Sequence, residues 1–133
     1  MLSEKVVKYY CGELDLNCAE SMLYGANEEY GLNLDQKALD TMSAFGGGMG
    51  VESICGALTG GLAVLGVLLV WDKSMDSEKR KTIVSNFYKA FENHFGSDSC
   101  QKIKNTHRDD LVGCRNVVKG SAEILERIGV SRP

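Results

Sequence analysis

Apolar residues recur along the chain every three or four positions, and no segment keeps up the two-residue alternation of a strand. The stretch "NCAESMLYGANEEY", residues 17–30, is the clearest case, because Cys18 and Met22 fall on one face and charged side chains on the other. Asn17 suits the N-cap of this segment and Gly31 suits its end. The pattern therefore predicts a helix that begins at Asn17 and ends before Gly31.

The same spacing predicts three more amphipathic segments. A short helix is expected from Asp35 to about Ala44, and a long one over residues 77–94 that stops at Gly96. Another is expected from about Leu111 to Ile128. Cys100 falls between the last two, in a polar connection that reads as a loop with a short helix.

An uncharged run of 18 residues, Ile54 to Trp71, stands apart from the amphipathic segments. Its length is the lower limit for a membrane span. However, it contains four glycines, and no cluster of Lys or Arg flanks it as in an oriented membrane helix. We therefore predict a buried central helix, opened by Glu52 or Ser53. The expected fold is an all-α, single-domain bundle of five or six helices around this segment, spanning residues 1–133.

Composition and charge exclude several classes of protein. The net charge of −3 divides into −6 for residues 1–71 and +3 for residues 72–133. The second value is too small for a nucleic-acid-binding surface, because nine carboxylates lie among the basic residues. The first residues lack the apolar run of a secretory signal, so we expect a cytoplasmic protein. Association with a membrane is not expected.

Five cysteines are many for a chain expected in a reducing compartment, where metal binding or redox chemistry is commoner than structural disulfides. A single cysteine in a helical protein is usually a small buried apolar residue. Here, though, Cys18, Cys55 and Cys114 fall near predicted helix starts, where the helix dipole lowers the pKa of a thiol, and Cys100 lies in the polar connection. Four thiolates are the number that an all-cysteine metal site requires.

Just before Cys55, the run "FGGGMG" holds four glycines in six residues. Such a loop lets a ligand approach backbone N–H groups, which can donate to the sulfurs of a cluster. A plain loop followed by close helix packing explains these glycines equally well. Arg115 or Lys102 would offset negative charge at such a site, and His107 is expected to be an exposed loop residue. The candidate cofactor-binding residues are Gly46, Gly47, Gly48 and Gly56.

The string "CGALTG", behind the glycine-rich loop and with cysteines before and after it, resembles the C_GCAxxG_C_C family of putative redox-active proteins. The hallmark cysteines would be Cys18 within "NCAESML", Cys55, Cys100, and Cys114 within "GCRN", while Cys11 lies outside the pattern. The literal string GCAxxG does not occur. The resemblance implies a small, mostly helical redox protein. A similar domain in some multihaem proteins is thought to carry an iron–sulfur centre, but no C-x-x-C-H haem motif occurs here.

These observations lead to one main hypothesis and two alternatives. The main hypothesis is electron transfer or redox sensing with a protein partner, through an iron–sulfur cluster such as [2Fe–2S], with Cys18, Cys55, Cys100 and Cys114 as ligands. The alternatives are a metal-free thiol–disulfide oxidoreductase and a non-catalytic binding module stabilised by zinc. Whether the protein is an enzyme stays open. A homodimer also stays open, with Met22, Tyr9 and Tyr10 as candidate contact residues.

Overall fold

The computed structural model describes residues 1–130, which form seven α-helices joined by turns. Two isolated β-bridges occur in this part of the chain, but no strand. The all-α prediction is therefore confirmed, while residues 131–133 of the predicted domain lie outside the described residues. The helices are α1 (Leu2–Tyr10), α2 (Cys18–Tyr30), α3 (Gln36–Asp40), α4 (Gly56–Trp71), α5 (Ser77–Phe95), α6 (Cys100–His107) and α7 (Arg115–Ile128).

Helix α2 has the ends that the sequence predicts. The Asn17 side chain accepts a hydrogen bond of 2.8 Å from the Glu20 N–H, and the Glu20 carboxylate accepts one of 3.0 Å from the Asn17 N–H. This reciprocal arrangement is a capping box, which satisfies two backbone donors that the helix leaves unpaired. Gly31 ends the helix in the left-handed conformation. The same ending by Gly96 confirms the predicted end of α5.

Helix α4 is the predicted central helix, with most of its residues buried. It packs on α2 at Gly60, where an added Cβ would lie 2.7 Å from the Ala19 carbonyl oxygen. At the next residue, Gly61, it packs on the Phe87 ring of α5. The absence of side chains at these two positions lets α4 approach both neighbours closely. None of the helices in residues 1–130 has the length and apolar character needed to cross a membrane.

A row of aromatic side chains on α5 forms another part of the core. Phe87, Phe91 and Phe95 are buried, and the Phe91 and Phe95 rings lie with their centroids 4.7 Å apart. Helix α7 covers this row and is tied to the first turn of α4, because the buried Ser121 hydroxyl donates a 2.8 Å hydrogen bond to the Ala57 carbonyl. The start of α4 is therefore fixed against the body of the bundle.

Helix α1 is an element that the sequence analysis did not assign. It packs against α2 and α7, with Val6 fully buried at the point where Gly25 leaves room for it. On its outer side, Lys8 and Tyr9 both donate hydrogen bonds to the Glu28 carboxylate, at 2.7 and 2.9 Å. A nine-residue helix is too short to be stable on its own, so its stability depends on these contacts with its neighbours.

Three predicted boundaries are wrong. Helix α3 ends at Asp40 instead of near Ala44, because the chain continues in tight turns such as the 3.0 Å bond from the Ser43 N–H to the Asp40 carbonyl. Helix α7 begins at Arg115 instead of Leu111. Before it, Asp109 and Gly113 form a closed loop through two mutual backbone hydrogen bonds, and Gly113 has a left-handed φ of 58° that no helix continues through.

The third boundary is the start of α4, which neither Glu52 nor Ser53 opens. Glu52 has a left-handed φ of 57°, and the Ser53 N–H donates a 3.0 Å bond to the Gly48 carbonyl, which closes the Gly48–Glu52 turn. Cys55 is the residue that caps α4. This displacement matters for the site, since it puts the thiol at the boundary between the glycine-rich turn and the helix.

Candidate functional site: a cavity at four helix starts

Each of the four predicted cysteines lies at the start of a helix. Cys18 and Cys100 are the first residues of α2 and α6, and Cys55 and Cys114 are the N-caps of α4 and α7. The short helix expected in the polar connection is α6, and Cys100 is its first residue instead of a loop residue, because the Ser99 side chain caps the helix. Helix starts carry unpaired N–H groups and partial positive charge, which favour anions nearby.

The four helix starts meet around one open cavity of about 570 Å³. All four cysteines line it, although they come from elements separated by up to 96 positions in sequence (from Cys18 to Cys114). Cys11 also lines the cavity and is exposed to solvent. The expectation that a bundle brings the four thiols to one end of the molecule agrees with this arrangement.

Two of these thiols, Cys18 and Cys114, form a hydrogen-bonded pair. The hydrogen bond from Cys18 lowers the pKa of the Cys114 thiol to about 7, against the effect of burial, and the charges of Arg108 and Lys104 act in the same direction. The same hydrogen bond, together with burial, raises the pKa of Cys18 well above its ordinary value. Cys18 is thus held as the thiol donor and Cys114 is favoured as the thiolate.

The other two thiols, Cys55 and Cys100, are linked by backbone pairing. Ile54 and Ser99 form an antiparallel bridge. Beside it, the Cys55 N–H donates a 2.8 Å bond to the Asp98 carbonyl oxygen, and the Cys100 N–H donates a 2.6 Å bond to the Ser53 carbonyl oxygen. The two cysteines are diagonal neighbours across this bridge, which in a regular pair corresponds to Cα atoms about 7–8 Å apart. This single bridge and its two backbone hydrogen bonds therefore fix the glycine-rich turn and α6 relative to each other.

The expectation that its helix-start position favours a thiolate at Cys55 is wrong for the chain as it stands. Burial raises the pKa of Cys55 to about 11, although the backbone N–H groups of Ala57 and Leu58 act in the opposite direction. Burial also raises the pKa of Cys100. Desolvation therefore outweighs the backbone N–H groups at Cys55, and at both positions a cation that compensates for burial would favour loss of the thiol proton.

The four predicted glycines have different surroundings. Gly47 and Gly56 line the cavity, and an added Cβ at Gly56 would lie 3.2 Å from the Cys18 Cβ. Gly48 lies behind Cys100, where an added Cβ would be 2.8 Å from the Cys100 Cβ. Gly46 instead packs against the Asn17 side chain and is not among the cavity-lining residues. Gly56 thus lets the starts of α2 and α4 come together.

The positive charges at the cavity are Lys104 and Arg108, where the sequence analysis named Lys102 and Arg115. Both follow Cys100 at intervals of four residues, Lys104 within α6 and Arg108 directly after it, and this interval is the signal in the sequence. Lys104 also forms a 2.9 Å ion pair with Glu52, which joins α6 to the glycine-rich turn.

Two other residues differ from their predicted positions. His107 is half-buried at the end of α6, with its ring 5.2 Å from that of Phe95 and its Nε2 3.2 Å from the Phe95 carbonyl oxygen. It is not among the cavity-lining residues and is not an exposed loop residue. Met22 is completely buried, so it is unavailable for the dimer contact considered above.

The arrangement of the thiols bears on what the cavity can hold. In residues 1–130, no group of three or more His, Cys, Asp or Glu side chains is arranged to hold a metal ion. The four cysteines surround a volume instead of converging on a point.

A model of the family described as "Putative redox-active protein (C_GCAxxG_C_C)" matches residues 16–128. The chain belongs to this family.

Membership of the C_GCAxxG_C_C family covers all four helix-start cysteines, which lie within the matched residues. Cys11 and the whole of α1 precede them. Searches of the curated proteins and of the solved structures gave no match. The family description supports a redox function, and the chemistry behind it has to be argued from the cavity.

Proposed function

We propose that this protein transfers or senses electrons through an iron–sulfur cluster, with Cys18, Cys55, Cys100 and Cys114 as its ligands. The observation that supports the proposal is the convergence of four helix-start cysteines on one cavity of about 570 Å³. A bound [2Fe–2S] cluster supplies one-electron redox chemistry at a potential set by its protein surroundings. Four cysteine thiolates are the usual ligands of such a cluster.

The donor set fits a cluster better than a single ion. Tetrahedral zinc requires four sulfurs at about 2.3 Å from one point. The described cysteines instead line one open volume, Cys18 interacting with Cys114, and Cys55 joined to Cys100 through the backbone bridge beside them. Two pairs of thiols around a volume correspond to the two-plus-two ligand set of a centre with two irons, and for this reason we do not propose the zinc module.

The surroundings of the cavity suit an anionic centre. Four helix N-termini, Lys104 and Arg108 all place positive potential at the cavity. Buried thiols such as Cys55, whose pKa is raised to about 11, must lose their protons on binding. Assembly therefore releases protons and is favoured as the pH rises. Gly47 and Gly56 leave the backbone near the sulfurs uncovered, where N–H groups can tune the potential.

The test is iron and acid-labile sulfide analysis of protein prepared and reconstituted without oxygen, read together with its visible spectrum. The proposal predicts about two irons and two sulfides per chain and their loss in Cys55→Ser. Matched circular dichroism spectra of the two apoproteins would control for loss of the fold. Wild-type protein that takes up neither iron nor sulfide would remove the proposal.

A second candidate is thiol–disulfide exchange, favoured by the hydrogen-bonded pair Cys18 and Cys114. The Cys114 thiolate would attack a substrate disulfide, forming a mixed disulfide and releasing one substrate thiolate. Cys18, after losing its proton, would attack the Cys114 sulfur and release the second substrate thiolate. Two electrons pass from the cysteine pair to the substrate, leaving a Cys18–Cys114 disulfide.

Mass spectrometry after alkylation distinguishes this candidate from the cluster. Metal-free protein treated with an oxidised dithiol should lose two hydrogens and gain one disulfide, mapped to Cys18 and Cys114. Cys55→Ser should still form it, whereas the same substitution abolishes the cluster. Five alkylatable thiols after the oxidant would rule out the exchange.

A further inference from the structure

Tyr10 brings α1 to the cavity. Its hydroxyl oxygen accepts a 3.0 Å hydrogen bond from the Cys114 backbone N–H, across 104 positions of sequence. The same hydroxyl oxygen lies 2.8 Å from where a Cβ on Gly113 would be, so the glycine makes room for the tyrosine. Tyr10 is half-buried and lines the cavity. It thus contacts the backbone of the cysteine that caps α7.

The tyrosine hydroxyl retains a proton for a second partner. A phenolic hydroxyl both accepts and donates, and the contact with Cys114 uses its acceptor side. Tyr10 lines the same cavity as Cys18 and Cys114, so the sulfurs of that cavity are the candidate acceptors for the remaining O–H donor. Hydrogen bonds to sulfur are a main way in which a protein sets the potential of a thiolate-bound centre.

We infer that Tyr10 is a positioning residue of the redox site, which fixes Cys114 at the start of α7 and donates its hydroxyl proton to the cavity sulfurs. The inference rests on the proposed function. It adds to the site a residue of α1, which lies before the residues that the family model matches. A donor to sulfur stabilises the reduced, more negative state, so Tyr10 raises the reduction potential.

The neighbouring Tyr9 provides a matched control. Its hydroxyl donates a 2.9 Å bond to Glu28, and its ring lies 5.4 Å from that of Tyr24, on the outer side of α1. Tyr9→Phe and Tyr10→Phe therefore remove the same atom from adjacent residues of one helix, and each keeps the ring that packs. Urea unfolding of both variants would reveal any difference in stability.

The experiment measures the reduction potential of wild type, Tyr10→Phe and Tyr9→Phe, by spectroscopic titration of the reconstituted proteins. We expect the equilibrium constant for reduction to fall roughly tenfold in Tyr10→Phe, which is about 59 mV for one electron, and to stay unchanged in Tyr9→Phe. An unchanged potential in Tyr10→Phe, or an equal fall in Tyr9→Phe, would overturn the inference.

Failure of the proposed function is read separately, on wild type alone, as the absence of iron and sulfide after reconstitution. In that case the same three proteins are equilibrated with a dithiol buffer, and the Cys18–Cys114 disulfide is counted by alkylation. We again expect the equilibrium constant for reduction, here of the disulfide, to fall roughly tenfold in Tyr10→Phe, which is about 30 mV for this two-electron couple. Identical disulfide fractions in all three proteins would again overturn the role of Tyr10.

Discussion

The contact between α2 and α4 brings Cys18 towards Cys55, and it can be tested at Gly60. An alanine Cβ there would lie 2.7 Å from the Ala19 carbonyl oxygen and 2.8 Å from the Met22 Cβ. Separations this short require one helix to move, because the Ala19 atom belongs to the backbone. Overpacking of this kind costs about 1–3 kcal/mol.

Gly66, on the same helix, is the control. Nothing lies within 4 Å of its added Cβ, and the residue is exposed. Replacing a glycine by alanine within a helix gains about 1 kcal/mol of helix propensity, a gain that both variants share. Gly66→Ala should therefore raise the free energy of unfolding, and Gly60→Ala should be less stable than Gly66→Ala by the overpacking cost of about 1–3 kcal/mol.

Urea unfolding followed by far-ultraviolet circular dichroism measures both values, and equal slopes would indicate a common unfolded state. Metal-free protein should be used, so that a bound cluster does not contribute to the difference. If Gly60→Ala is as stable as Gly66→Ala, the close approach of α4 to Ala19 is wrong, and with it the position of Cys55 relative to Cys18.

Three further predictions concern single residues. In metal-free protein, iodoacetamide should label Cys114 before Cys55 at pH 8, because their pKa values are about 7 and about 11; peptide mapping that finds Cys55 labelled first would contradict this. Bonds from Lys8, Lys5 and Tyr9 lower the pKa of Glu28 from 4.5 to about 2. The stability that these bonds contribute to the fold is therefore fully present above pH 4.5 and is lost as the pH falls towards 2. The urea midpoints of wild type and Glu28→Gln should therefore differ at pH 7 and converge in acid. Asn17→Ala should lower the free energy of unfolding by about 1 kcal/mol, through loss of the capping box, and no change would refute that role.

The sequence predicted the long helices well because local signals fix their ends. Asn17 and Gly31 for α2, and Gly96 for α5, act through the backbone beside them, and the structure has them where the pattern places them. The buried nature of α4 followed from its lack of charge. The helix ends and the burial of α4 depend on residues that are close together in sequence, and the pattern of apolar and polar residues reports on those.

The details of the site depend on contacts that are distant in sequence. Lys104 and Arg108 reach the cavity only because α6 begins at Cys100, and that start is fixed by pairing with Ser53. The raised pKa of Cys55 comes from burial by other helices, which no helix-start rule anticipates. Tyr10 belongs to α1, a nine-residue helix that is too short to be predicted from the periodicity of its apolar residues.

Irregular backbone accounts for the remaining differences. The turn Gly48–Glu52 contains left-handed residues other than glycine, Met49 and Glu52, which composition does not predict. The closed loop between Asp109 and Gly113 likewise delays α7. Both segments lie just before a cysteine-bearing helix start, so two of the three wrong boundaries, those of α4 and α7, fall at the site itself.

In the proposed site, four of the five cysteines form one ligand set and Cys11 stays outside it. The most direct test is the iron and sulfide content of five single Cys→Ser variants, reconstituted in parallel with wild type without oxygen. We expect about two irons and two sulfides in wild type and in Cys11→Ser, and loss of both in the variants of Cys18, Cys55, Cys100 and Cys114. Equal loading in all five variants, or none in wild type, would contradict it.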